Sequence, residues 1–203
     1  MMAENLAARG IKDKNEGLAE PRFRTVADFI FSGSQWKMRE LAFGEQKVVF
    51  KPGDNKENYA VKRMPEIEQW ATDIYNFVAG KYGEENIVAF YVHLDETSPH
   101  IHCVLLPIKD GKFAFKEIFA GANNREYSQR TSQLHDELAV VNEPWGLVRG
   151  TSQTETRQRH RPTEEYRKHL SEECSSKEEE LDKLNKALSD LRVEIALAIR
   201  RVK

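Results

Sequence analysis

The sequence predicts an α+β fold: an antiparallel sheet with helices packed on it, then a linker and one long coiled-coil helix. Three observations carry that prediction. Residues 85–94 and 100–108 are two apolar, β-branched and aromatic runs separated by a short turn, the spacing of a hairpin. Residues 65–82 repeat apolar positions at three- and four-residue intervals, as a helix with one buried face does. Beyond residue 163, Leu170, Cys174, Lys177, Leu181, Leu184, Leu188, Leu191, Ile195, Ala198 and Val202 alternate four- and three-residue steps, a heptad seam with one polar position. The expected division is a domain over 1–150, a linker over 151–162 and a coiled coil over 163–203.

Met2 to Ala8 fits a short helix closed by Gly10. Alternation from Phe23 to Phe31 predicts a strand, which Gly33-Ser34 interrupts; Ser34 then caps a helix to about Phe43, stopped by Gly44. Lys47 to Phe50 reads as a short edge strand, and 51–56 as a mildly basic loop carrying Lys51 and Lys56. Pro65 opens the next helix, because its missing N–H would be unpaired in a first turn anyway. Ile67, Trp70, Ala71, Ile74, Phe77 and Val78 form its buried face. The run 85–94 reads as a buried strand, with Ile87, Ala89, Tyr91, His93 and Asp95 on one side and Val88, Phe90, Val92 and Leu94 on the other.

Past the hairpin, Asp110-Gly111 marks a tight turn and Phe113 to Phe115 a returning strand. Asn123 or Asn124 caps a helix to about Val141, with Tyr127, Leu134, Leu138 and Val141 on one side. Pro144-Trp145-Gly146 ends it, and Leu147-Val148 adds a last strand. From Gly150 to Arg161 almost nothing is apolar, and Arg149, Arg157, Arg159, His160 and Arg161 cluster there, a tether able to follow a nucleic-acid strand.

Composition narrows the function. Net charge is −2 from 31 basic and 33 acidic residues, so any DNA contact must come from local patches. No apolar stretch approaches the roughly 20 residues that cross a bilayer, and two cysteines support no disulfide framework; a soluble cytoplasmic protein without a membrane partner is expected.

The chemistry concentrates in His93-Leu94-Asp95-Glu96-Thr97-Ser98-Pro99-His100-Ile101-His102. His93 ends one strand; His100 and His102 share a face of the next, while Ile101 points to a core. Paired antiparallel, the strands bring three imidazoles to one spot. Three neutral imidazoles suit a divalent metal and leave coordination positions open, as a catalytic site requires. Asp95 and Glu96 are placed to orient the rings, to ligate or to act as a general base. Three imidazoles alone accept zinc or nickel as readily as other ions. His135 reads as a packed or solvated helix residue.

The pattern His93-x-Asp95-Glu96-x-x-Pro99-His100-x-His102 resembles the metal motif of the plasmid mobilization relaxases of the Mob/Pre (MobV) family, most closely the Bacteroides type, over about residues 21–150. Their wider class, the HUH endonucleases, is named for the His-hydrophobic-His signature, here His100-Ile101-His102. The resemblance implies a ferredoxin-like sheet and a site-specific single-strand DNA endonuclease and strand transferase that nicks a transfer origin. It implies His93, His100 and His102 as ligands of manganese or magnesium, and Glu96, with Asp95 beside it, in the catalytic role of positioning or activating the nucleophile. The family's attacking residue belongs to an N-terminal motif, typically a histidine, and no histidine precedes His93 here. The expectation is therefore a chain lacking its first strand and nucleophile motif, restarted at an internal methionine, with Tyr127 as the least implausible substitute attacker.

Lys109, Lys112 and Lys116, close in sequence to the histidines, and Arg125 and Arg130 beside Tyr127 are the expected DNA-backbone contacts. The heptad seam predicts a homodimer. The alternative functions are a non-catalytic, dimerising protein that binds a metal and single-stranded DNA, and a metal hydrolase unrelated to DNA.

Overall fold

The computed structural model describes residues 2–50, 56–151 and 163–202. The loop at 51–55 and the linker residues Arg157, Arg159, His160 and Arg161 lie outside them. The chain divides into two compact units, 1–150 and 151–203.

The first unit is α+β, as the sequence predicts. Strands β1 (Ala27–Phe31), β2 (Ile87–His93) and β3 (His100–Leu105) form an antiparallel sheet in the order β1-β3-β2, and β4 (Ile108–Lys109) pairs with β5 (Lys112–Phe113) in a small hairpin. Helices α1 (Met2–Ala8), α2 (Gln35–Phe43), α3 (Pro65–Tyr82) and α4 (Asn124–Asn142) complete it. Pro65 occupies the first turn of α3, and the Asn123 side chain caps α4 by accepting from the Glu126 N–H at 3.0 Å. Ser34 stands at the N-cap of α2 but its hydroxyl makes no capping bond.

One face of the sheet carries the core. Ile101, Cys103 and Leu105 of β3 and Phe31 of β1 pack with Met38 and Leu41 of α2 and Ile67, Trp70, Ile74 and Val78 of α3. Trp70 is fully buried and satisfies its indole N–H by donating to the Asn142 side chain at 2.9 Å, which ties α3 to the end of α4. A smaller cluster of Leu6, Leu106 and Ile108 holds α1 against the far end of the sheet.

The other face is open. Ile30 is 64% and Tyr91 52% exposed, so β2 is half-exposed rather than the buried strand its composition predicts. Its alternation is also broken. The β2–β3 register shifts between Ile87 and Ala89, a bulge that returns Ile87 to the core face opposite Leu105 and sends Val88 to the smaller cluster.

Several expected strand segments are absent, some because their backbone groups are claimed elsewhere. Residues 23–26 do not extend β1, because the Asn15 side chain accepts from the N–H groups of Arg22 and Phe23 and donates to the Phe23 carbonyl. Residues 47–50 form no strand, because Asn58 takes both the N–H and the C=O of Val49. Residues 84–86 form a 3-10 turn before β2. Pro107, without an N–H, interrupts the run after Leu105. Past Phe113 the Ala114 N–H turns back to the Pro107 carbonyl, and a π-helical turn spans Lys116–Ala120. Leu147 is buried and Val148 95% exposed, with no strand there.

In the second unit, α5 (Thr163–Val202) is a single helix. Leu170, Cys174, Leu181, Leu184, Leu188 and Leu191 are exposed along it; the side chains of Ile195, Ala198 and Val202 lie outside the described residues. No described helix is long and apolar enough to cross a membrane.

The two thiols differ in environment: Cys103 is fully buried, and burial pushes it up to about 11, whereas Cys174 is exposed on α5. Iodoacetamide should therefore leave Cys103 unmodified in the native protein and reach it only in denaturant, which peptide mass mapping checks.

Candidate metal centre

The site is built on the open face by strand pairing. His93 stands opposite His100 in the β2–β3 register, and His102 lies between Tyr91 of β2 and Ile30 of β1. The intervening turn is held in place by α2 and the chain before it. The Thr97 carbonyl accepts from Arg39 at 2.8 Å, and the Pro99 carbonyl from the Ser32 hydroxyl at 3.0 Å.

The result is a tight cluster. Ring centroids are 5.0 Å apart for His93–His100, 5.0 Å for His93–His102 and 4.9 Å for His100–His102. One ligating atom from each ring falls within 4.8 Å of the others, and this is the sole such grouping of His, Cys, Asp or Glu among the described residues. The His93 and His100 rings are nearly parallel, at 7°, and His102 stands edge-on to both, at 73° and 65°. Nδ1 of His100 faces the Ser98 carbonyl at 2.9 Å, Nδ1 of His102 faces Asp28 at 3.6 Å and Nδ1 of His93 faces Asp95 at 3.9 Å. The Ser98 carbonyl accepts at hydrogen-bond distance from Nδ1 of His100, which favours the proton there and leaves its Nε2 lone pair for an ion, while Asp28 and Asp95 stand beside the other two rings. The donor set therefore fits a divalent cation.

Of the two carboxylates expected here, Asp95 lies beside His93, and Glu96 is exposed on the same turn. Asp28 is a residue the sequence reading missed. Its signal was a lone acid in the apolar run Ala27–Phe31, on the opposite face to Phe29 and Phe31. Asp28→Asn should weaken manganese binding about tenfold, the usual scale for losing an orienting partner, with the melting temperature unchanged; a manganese titration beside a thermal melt checks this.

The expected DNA contacts lie elsewhere. Lys109 and Lys112 sit on the β4–β5 hairpin, past the Leu105 end of β3, whereas His100 begins that strand. Lys109, Lys112 and Lys116 line a groove with Lys14, Arg22 and Arg24. Lys109 pairs with Glu117, which holds its ammonium above the usual range, first through the hydrogen bond. Arg130 donates to the backbone carbonyls of Glu117 and Ile118, while Arg125 is exposed in the first turn of α4. Tyr127 and His135 line a separate cavity that Asp28 also borders.

A family model described as plasmid recombination enzyme (Mob/Pre) matches residues 33–168, which is more than half of the chain and contains all three histidines. The chain belongs to the Mob/Pre family. Plasmid recombination enzyme type 1 of Staphylococcus aureus is 34% identical over 128 residues, covering 61% of this chain and 30% of that protein. The plasmid recombination enzyme of a Bacillus species is 27% identical over 137 residues, 68% of this chain and 30% of its own length. This Mob/Pre chain thus spans about 30% of the length of these relatives. Its fold is similar to that of the MobM relaxase domain bound to a 26-nucleotide pMV158 oriT DNA, with a TM-score of 0.50 and 18% identity over 81% of this chain and 78% of that one.

Proposed function

We propose that this chain forms the metal-binding part of a relaxase, a metal-dependent, site-specific single-strand DNA endonuclease and strand transferase that nicks a transfer origin in plasmid or mobile-element mobilization. One observation carries the reading: three imidazoles, each with a ligating nitrogen within 4.8 Å of the others, converge on a solvent-open sheet face, where a strand can approach. Family membership supports it. A bound divalent ion, manganese or magnesium, supplies charge neutralisation on the phosphoryl oxygens. His93, His100 and His102 hold that ion, Asp95 and Asp28 fix their rings, and Glu96 positions the attacking group. The groove of Lys109, Lys112 and Lys116 holds phosphates further along the strand, with Arg125 and Arg130 nearer α4.

The test is nicking of end-labelled single strands covering the transfer region of the plasmid or element encoding the chain, with manganese, magnesium or chelator. Metal-dependent cleavage at one phosphodiester supports the proposal. Metal and strand binding without cleavage would instead favour the non-catalytic reading.

The exposed leucines of α5 support a homodimer formed through that helix. Sedimentation equilibrium should give a dimer that Leu184→Lys with Leu188→Lys converts to monomer, since both side chains enter the seam; an unchanged mass would remove the dimer.

A further inference from the structure

The strongest feature outside the three rings is a cavity of about 800 Å³ beside β1, bordered by the π-helical turn and the middle of α4. Its wall is aromatic. Phe119 packs against three other lining rings, with centroids 5.5 Å from Phe29, 5.3 Å from Tyr82 and 5.3 Å from Phe115. Tyr127 stands at the rim, 53% exposed. Burial pushes the Tyr82 hydroxyl up to about 12, so the wall stays neutral at physiological pH.

The cationic side chains are at the edge. Arg24 lies over the Phe115 ring at 5.2 Å, and Arg130 borders the cavity while donating to backbone carbonyls, which leaves its charge unneutralised by those bonds. Lys81 is paired with Glu137. Two features join this cavity to the metal centre and to the basic groove. Asp28 borders it and also faces His102 at 3.6 Å, while Arg24 and Phe115 are shared with the basic groove of Lys109, Lys112 and Lys116.

We propose that this cavity is a nucleobase subsite: one base of the single strand, within a few nucleotides of the phosphate at the three imidazoles, leaves the stack and enters against Phe119 and Tyr127, while Arg24 and Arg130 hold its flanking phosphates. The inference rests on the DNA-processing reading above and deepens it. Aromatic faces stack any base, and guanidinium groups bind phosphates, so the subsite takes a base without demanding its identity. An apolar peptide side chain would use the rings but not the flanking cations.

The experiment is fluorescence anisotropy of the 203-residue chain in manganese with two labelled strands of about 20 nucleotides, one oligothymidine and one abasic of equal length. Phe119→Leu keeps apolar volume and removes the stacking face; Tyr127→Ala changes only the exposed rim, where folding is not at risk. Both variants should bind oligothymidine about tenfold more weakly, the scale of one lost base stack. On the abasic strand they should match the parent, with manganese binding unaltered. Equal loss on both strands, or no loss on either while the parent binds oligothymidine, overturns the subsite and leaves the relaxase reading standing. Failure of the parent to bind any strand overturns both.

Discussion

His100→Ala should weaken manganese binding by more than about 100-fold, since direct ligands matter more than the orienting partners whose loss costs about 10–100-fold. On the relaxase function proposed above, metal-dependent nicking should fall at least as far, given the several kcal/mol of transition-state stabilisation that a metal supplies. His100 stands opposite His93 and within 4.9 Å, ring to ring, of His102, so its removal leaves two imidazoles that no longer surround a point. The fold should survive. The ring is on the open face and bonds to the Ser98 carbonyl within the same turn, so the cost in stability should stay below about 1 kcal/mol. Isothermal titration with manganese beside a thermal melt checks both halves; a large drop in melting temperature with metal binding retained would contradict the assignment.

The neighbouring substitution should do the reverse. Ile101 is fully buried, points to the opposite face and sits between Phe31 and Val92 in the strand register. Ile101→Ala removes core methyl groups and leaves a cavity, which costs about 2–5 kcal/mol. In a domain of this size that lowers the melting temperature by roughly 5–15 °C. Below the transition, manganese affinity should match the parent, because the three rings are untouched. The contrast between two adjacent residues follows from strand alternation alone, and calorimetry of both variants reads it.

The centre was legible in the sequence because it depends on that same local rule. A two-residue period puts His100 and His102 on one side and Ile101 and Cys103 on the other, and the turn is short enough to dictate antiparallel pairing with the strand ending at His93. What escaped prediction depends on partners distant in the chain. The bulge between Ile87 and Ala89 carries no glycine or proline to announce it, so simple alternation puts Ile87 on the wrong face. Asn15 and Asn58 withdraw the backbone groups of Phe23 and Val49 from any ladder, and nothing local to those segments shows it. Asp28 joins the centre only because β1 pairs with β3, a long-range fact. On α5 the three- and four-residue periodicity made the helix itself legible, and it runs as one element from Thr163 to Val202.

The central claim is that three imidazoles from two adjacent strands hold one divalent cation. Pulsed electron paramagnetic resonance of the manganese-loaded protein tests it most directly, because directly bound nitrogens couple to the electron spin. The account predicts one manganese per chain with couplings from three imidazole nitrogens, one fewer in each of His93→Gln, His100→Gln and His102→Gln where the ion is still retained. Stoichiometric manganese with no imidazole coupling, or couplings unchanged in all three variants, would contradict it.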